Sequence, residues 1–314
     1  MKRALCLIAV LLALGAGAAW SARPAAAAGH LPVLVYHYMW FDATQWSHDK
    51  DDRPLIGHYC SDTESVMVKQ MTEAKNHGID GFIVGWNHNR TLDSRLTKMI
   101  AAAHATGFKL AVAYQSLNVK RRPRSVATIH AALRYLAPVM AANPGVFHIP
   151  GLGANIVSWE GTWAFSRAHI KTIVSGMHSL TILCSEKQIA DYKAKADLFS
   201  GDAYYWSSAN ALTQGGPVRS KLTSFGRAVH DHAGLWLCPA APGYNARQIG
   251  GRLVVPRRRG TEFTAYLDIA AHASPDAIAV ISWNEFSENT YIEPSVVCGS
   301  SALNVVRTFR KAHP

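Results

Sequence analysis

Ala277-Ile-Ala-Val-Ile281-Ser-Trp-Asn-Glu285-Phe-Ser-Glu288-Asn-Thr-Tyr-Ile-Glu293-Pro294 joins an unbroken apolar run to a stretch holding three carboxylates, amides and three aromatic rings. A short apolar run cut off by a sudden polar cluster reads as a buried strand that delivers its last residues into a site. A strand that is apolar throughout, with no alternation, is covered on both faces and belongs to a parallel sheet. The rest of the chain should then supply more strands of the same kind, each followed by a helix.

The pattern is there. Strands are expected at 33–38, 79–86, 109–114, 147–157, 180–184, 198–205, 235–239 and 277–283. Helices are expected between and after them, at about 64–76, 94–105, 125–142, 163–177, 186–193, 218–232, 261–273 and 303–311. Ser61-Asp-Thr-Glu64 resembles a capping box for the first helix, and Gly78 and Gly107 are placed to stop the first two. Eight strand–helix units in about 280 residues is the count and length of a single (β/α)8 TIM barrel, an α/β fold. A doubly wound open sheet is the alternative, but no Gly-rich phosphate fingerprint follows the first strand.

Residues 1–28 read as a signal peptide: Met1-Lys-Arg is basic, Ala4 to Ala19 is apolar, and Ala25-Ala-Ala-Ala28 offers small residues for cleavage. Residues 29–314 are then the barrel domain of a secreted or extracytoplasmic protein, with no membrane span expected within it. At 49% hydrophobic and 17% charged residues, the composition is that of a globular chain with a large core. Removing Lys2, Arg3 and Arg23 with the leader lowers the formal +11 to +8. That excess suits solubility and cell-wall association. Nucleic acid is not an expected partner, because Lys120-Arg-Arg-Pro-Arg124 and Pro256-Arg-Arg-Arg259 are short and match no nucleic-acid-binding motif. Cys184 and Cys238 sit in apolar runs as buried thiols. Cys60 and Cys298 lie in loops that become neighbours when a barrel closes and could bridge across the rim, one of the pairings open to the four thiols.

A barrel builds its site at the C-terminal ends of its strands. Those ends hold Tyr36, His37 and Tyr38; Trp86, Asn87 and His88; Tyr114 and Gln115; Ser158 and Trp159; Ser185 and Glu186; Asp202, Tyr204, Tyr205 and Trp206; Tyr244; and Asn284, Glu285 and Glu288. Sugar rings present apolar faces edged by hydroxyls, which aromatic platforms and amide, acid and imidazole side chains complement. Glu285 and Glu288, three positions apart past a strand end, are the pair of carboxylates that glycosidic cleavage requires. Tyr36, Tyr38, Trp86, Asn87, Tyr114, Asp202, Tyr204, Tyr244, Asn284 and Tyr291 are the expected substrate contacts. No cofactor and no metal is expected: His37, His58 and His88 lack any HxH or HExxH partner. A polysaccharide or oligosaccharide is the expected substrate.

Asn284-Glu-Phe-Ser-Glu288-Asn-Thr-Tyr-Ile-Glu-Pro294 resembles the Asn-Glu-Trp-His-Glu-Gly-Thr-Gln-Ile-Glu-Pro signature of glycoside hydrolase family 99, the endo-α-mannosidases. The likeness extends to Tyr36 to Trp40, Pro54 to Tyr59 with Ser61-Asp62, Gly78 to Trp86, and Ala241 to Tyr244. It implies a (β/α)8 barrel that hydrolyses α-linked glycans, subsites lined by Trp86 and Tyr36, Glu285 as base toward the sugar 2-hydroxyl, and Glu288 as general acid/base. Glu293 is then a supporting anchor. Phe286, Ser287, Asn289 and Tyr291 depart from that signature, and the motif also leans toward the Trp-Asn-Asp-Tyr-Gly-Glu-Ser pattern of the family 71 α-1,3-glucanases. An α-1,3-glucanase-like hydrolase and a non-catalytic carbohydrate-binding barrel of the cell envelope are the alternatives.

Overall fold

The computed structural model describes residues 30–206 and 208–313. The expected signal peptide lies outside the described residues. Eight parallel strands form the central sheet: β1 (Val33–Tyr38), β2 (Gly81–Trp86), β3 (Lys109–Gln115), β4 (Ile156–Glu160), β5 (Thr181–Leu183), β6 (Gly201–Ala203), β7 (Leu235–Ala240) and β8 (Ala277–Val280). Their order is β5-β4-β3-β2-β1-β8-β7-β6. The two ends of that order meet through a parallel bridge between Cys184 and Asp202, with Cys184 N donating to Gly201 O at 3.0 Å and Ala203 N to Cys184 O at 2.7 Å. The sheet therefore closes on itself as a (β/α)8 barrel, and the open doubly wound alternative is excluded.

Gly201 sits at this closing seam because no side chain fits there. Its φ is +144°, and a Cβ would lie 2.1 Å from the Leu235 carbonyl oxygen.

Strand alternation sorts the core into two layers. Val33, Val35, Phe82, Val84, Leu110, Val112, Val157, Trp236, Ile278 and Val280 face the helices. Leu34, Tyr36, Tyr38, Ile83, Ala111, Ala113, Ile156, Leu237, Ala277 and Ala279 fill the barrel. The interior set mixes small residues with tyrosines, so space that larger residues would occupy in a fully packed barrel is given to rings near the mouth. Gly85 is one such position, since a Cβ there would come within 2.9 Å of the Tyr38 ring.

The main helices follow the expected order, with three informative departures. Helix Glu64–Asn76 begins at Thr63 without a side-chain cap, and Ser61 Oγ instead accepts from Phe41 N at 3.1 Å, so the capping box is not formed. The second helix starts earlier than the periodicity indicates, at Arg90, because Asn89 caps Leu92 N at 3.0 Å. The expected strand at 147–157 is split. Glycines 151 and 153, both at positive φ, turn residues 148–154 into a small hairpin, and the barrel strand begins only at Ile156 and runs on to Glu160.

Candidate active site at the barrel mouth

After β8 the chain folds back on itself. Ser282 N donates to Thr290 O (2.8 Å), Ile292 N to Ser282 O (2.9 Å) and Glu293 N to Trp283 O (2.8 Å), while Trp283 N reaches across to Tyr36 O (2.7 Å). Within this loop, Phe286–Glu288 form a 3₁₀ turn with Glu285 at its N-cap. The turn brings Glu288 close enough for its charge to act on Glu285, but of the two only Glu288 is on the wall of the cavity beside it. Ser282 Oγ fixes the Glu285 amide at 2.8 Å, and Ser287 N donates to Glu285 Oε1 at 3.1 Å. Behind the turn, Phe286 stacks on Tyr291 (centroids 4.1 Å apart), Arg257 covers the Tyr291 ring at 4.4 Å, and the Tyr291 hydroxyl donates to Asp52 at 2.6 Å.

Asn284 and Glu293 hold the same loop from within. Asn284 is fully buried. Its Oδ1 accepts from Tyr38 N (2.9 Å), and its Nδ2 donates to Tyr38 O (2.9 Å) and lies 3.1 Å from the Tyr59 hydroxyl. Glu293 accepts from Tyr59 at 3.0 Å and Gln70 at 2.7 Å, and Gln70 meets His37 at 3.0 Å. This chain of polar contacts ties the end of β8 to the end of β1 and to the first helix. It gives Glu293 the anchoring role expected of it.

A cavity of about 740 Å³ opens beside the turn, within the range of small-ligand clefts. Glu288 and Glu160 are both on its wall, with Asn87, Gln115, Trp40, Trp163, Tyr205, Trp206 and Tyr244. Glu160 comes from the last position of β4, three residues beyond the expected strand end at 157 and one beyond Trp159. Ile156, Ser158 and Glu160 share the inward phase of that strand, and this period of two was the available signal for it.

Electrostatically the site is a cluster of strained acids. Burial, then the charge of Glu288, pushes Glu285 up to about 8, against the pull of Ser287 and Lys50. Burial raises Glu288, and Arg121 restrains it. Burial also pushes Glu160 up to about 8, opposed by its hydrogen bond with Gln115 and reinforced by Glu288. Glu160 Oε1 is buried without a hydrogen-bond partner. Carboxylates brought together in a low-dielectric mouth cannot all ionise near neutral pH, so the group retains protons that chemistry can use.

The structure separates the expected substrate contacts. Asn87 and Tyr244 reach the cavity wall. Tyr36 and Tyr38 rise through the barrel to its floor, where both engage Tyr205: Tyr36 edge-on at 4.9 Å and Tyr38 through paired hydroxyls. Tyr36 also bonds Ser158 at 3.2 Å, and Tyr38 stacks on Trp40 at 4.2 Å. Trp86, Tyr114 and Tyr204 point the other way, into the layer between strands and helices. Trp86 donates to Asp93 at 2.8 Å, and Tyr204 packs on Phe225 and Trp236. Asp202 is fully buried at the β5–β6 seam, accepting from Cys184 Sγ at 3.1 Å and Glu186 N at 3.0 Å. Asn284 and Tyr291 are buried scaffold. The physical reason is parity: neighbouring residues at a strand end point to opposite faces, and a list of strand ends does not carry that sign.

His37, His58 and His88 stand in separate settings. His37 stacks on Phe82, His58 on Trp46, and His88 on Tyr135. Cys60 and Cys298 do not bridge; all four described cysteines are free. The Cys60 thiol lies 3.5 Å from Asp62 and the Cys298 thiol 3.5 Å from the Tyr291 hydroxyl, so each is engaged within its own surroundings.

No family model matches the chain, and no curated protein matches it in sequence. Solved structures do match it in fold. The family 99 endo-α-mannosidase from Bacteroides thetaiotaomicron, in complex with bis-tris-propane, superposes over 89% of this chain and 98% of its own at 17% identity, with a TM-score of 0.75. A glycoside hydrolase-like protein aligns over 90% of this chain and 94% of its own at 11% identity, TM-score 0.71. The catalytic domain of the major endoglucanase from Xanthomonas campestris pv. campestris covers 90% and 95% at 13% identity, TM-score 0.53. The chain thus has the barrel architecture found in glycoside hydrolases, and its overall shape is similar to that of the family 99 endo-α-mannosidase.

Proposed function

We propose that the protein is a glycoside hydrolase that cleaves α-linked, mannan-like glycans at this barrel mouth, exported by the leader at its N-terminus. The observation that carries the reading is the carboxylate pair at the cap and the end of one 3₁₀ turn, with Glu288 on the wall of a cleft rich in aromatic and amide side chains and Glu285 buried behind it. The fold of the family 99 endo-α-mannosidase supports it.

In this reading Glu285 removes the proton of the sugar 2-hydroxyl, whose oxygen attacks C1 while Glu288 protonates the leaving oxygen. Water then opens the resulting 1,2-anhydro ring with the two roles reversed. The route suits α-mannosides, whose axial 2-hydroxyl lies trans to the leaving group. Burial raises both carboxylates and the charge of Glu288 raises Glu285 further, to about 8, so Glu285 acts as base from the fraction of molecules in which it is ionised. Glu285→Gln and Glu288→Gln should fold as the parent does and lose at least about 100-fold in rate, the lower range for general acid–base catalysis. A panel of α-mannans and α-1,3-glucans, with product anomers followed by NMR, is the assay. Unchanged rates in both variants refute the assignment, and binding without any cleavage makes the barrel a carbohydrate-binding protein.

A second reading has its own observation. Glu160 and Glu288 both face the cavity, and Glu160 keeps an unpartnered oxygen and a raised affinity for its proton. Glu160 would then be the acid opposite Glu288. Glu160→Gln abolishing turnover while Glu285→Gln retains it would favour this pairing.

A further inference from the structure

The segment between β3 and its helix forms a basic hairpin on the cavity wall. Leu117 and Pro123 pair across it, Asn118 N donates to Arg122 O at 2.9 Å, and Arg124 N donates to Ser116 O at 2.9 Å. Asn118 Oδ1 accepts from Lys120 N (2.9 Å) and Arg122 N (3.1 Å), which closes the tip. The hairpin carries Lys120-Arg121-Arg122-Pro123-Arg124, and Arg121 and Arg124 line the cavity.

Their guanidinium groups differ from that of Arg95, the other arginine on the wall. Arg95 commits its two terminal nitrogens to Met39 O and Asp62, each at 2.7 Å, although its Nε, like that of Arg124, is buried without a partner. Among the described residues, the Arg121 and Arg124 side chains form no hydrogen bond or ion pair; Arg121 acts on Glu288 and Tyr244 through its charge alone, and Arg124 Nε is buried without a partner. A buried charged donor left unpaired is costly, and in a cleft its natural partner is a ligand. A guanidinium offers only donors, in a planar fork that fits a carboxylate or phosphate two-pronged. A neutral sugar hydroxyl, donor and acceptor at once, uses that fork poorly. Lys187 adds charge nearby, with Nζ 4.7 Å from each of the Trp163 and Trp206 rings of the same wall. Lys120 and Arg122 stand exposed on the hairpin away from the cavity, and Arg121 is exposed at its rim.

We propose that the glycan bound in this cavity bears an anionic group, a sugar carboxylate or a phosphate ester, and that Arg121 and Arg124 recognise it. The substrate class so defined rests on the hydrolase reading above; the recognition itself does not require turnover. Sequence alone treats the same run as a short basic loop, because only the fold sets Arg124, half-buried, and the exposed Arg121 at the wall of the cavity.

The test uses matched pairs with wild-type protein: an α-linked oligosaccharide containing uronate against its carboxyl-reduced form, and a phosphorylated α-mannan fragment against its phosphatase-treated form. Calorimetry reads binding and product analysis reads cleavage. One anionic form should bind at least about tenfold more tightly than its neutral partner, the scale of one charged hydrogen bond. Whichever pair shows the effect identifies the anion. The advantage should shrink in about 1 M salt, where the screening length falls to about 3 Å. It should drop in Arg121→Gln and Arg124→Gln, be retained in part by Arg124→Lys, and be unchanged in Arg134→Gln, an exposed position on the adjacent helix. Equal binding of both members in both pairs, or an advantage that survives loss of both arginines, overturns the proposal. Neutral glycans cleaved without preference would overturn it and leave the hydrolase intact. Selective binding of an anionic form with no cleavage would uphold it and refute the hydrolase.

Discussion

Replacing Asn284 with alanine tests whether the signature loop is held to the barrel as the structure indicates. On its β8 side, β1 pairs by backbone register only from Val33 to Val35. Farther up, Trp283 N bonds Tyr36 O, and the Asn284 side chain then serves both the N–H and the C=O of Tyr38, each at 2.9 Å. Asn284→Ala leaves these two buried backbone groups without that partner. At roughly 1–3 kcal/mol for each unsatisfied buried group, the loss is about 2–6 kcal/mol, a large share of a typical total of about 5–15 kcal/mol. At about 2–4 °C per kcal/mol, the thermal midpoint should fall on the order of 10 °C. Asn284→Asp should do no better, since it keeps an acceptor for Tyr38 N but loses the donor to Tyr38 O and buries a charge. Asn87→Ala, an amide on the cavity wall, provides the control and should shift the midpoint little. Thermal unfolding followed by near-ultraviolet circular dichroism is the assay. A fall of less than about 2 °C for Asn284→Ala would show that the amide is not the clasp between β1 and β8.

Stability should also depend on pH with an uncommon sign. Burial pushes Glu160 and Glu285 up to about 8 and Glu293 up to about 7, so in the fold each retains a proton that the unfolded chain releases above about 4.5. Unfolding then releases protons, and stability should fall as pH rises from about 5 to about 8. Glu160→Gln should flatten part of that fall in a scan of melting temperature against pH, and an unchanged slope would refute the burial argument. Gly201→Ala should yield unfolded or insoluble protein, because a Cβ 2.1 Å from the Leu235 carbonyl oxygen cannot be accommodated at the seam; a melting temperature equal to the parent's would contradict that contact. Denatured, unreduced protein lacking residues 1–28 should titrate as four free thiols, whereas two would reveal a disulfide.

Much of the architecture is written locally. Strands covered on both faces must be apolar at every position, so the eight runs stand out without knowledge of their partners, and their regular alternation with helices leaves a barrel as the solution. Glu285 and Glu288 are legible for a related reason. Carboxylates placed directly after such a run have no account in packing. The hairpin at 148–154 marks where local reading fails. Two glycines within an apolar stretch could equally interrupt a strand or turn it, and the choice shifted β4 far enough to leave Glu160 out of view.

The sequence by itself determined the fold class and singled out the carboxylates after β8 as candidates, because each follows from composition along a single element. Tertiary structure alone decided which strand-end residues face the cavity. It sent Trp86, Tyr114 and Tyr204 into the helical layer, set Asn284 and Tyr291 as scaffold, and brought Glu160, Arg121 and Arg124 to one wall with Glu288. The reason is physical: an element's identity depends on its own residues, whereas a side chain's access to a cavity depends on strand register and on loops from other elements that the chain brings together only when the barrel closes.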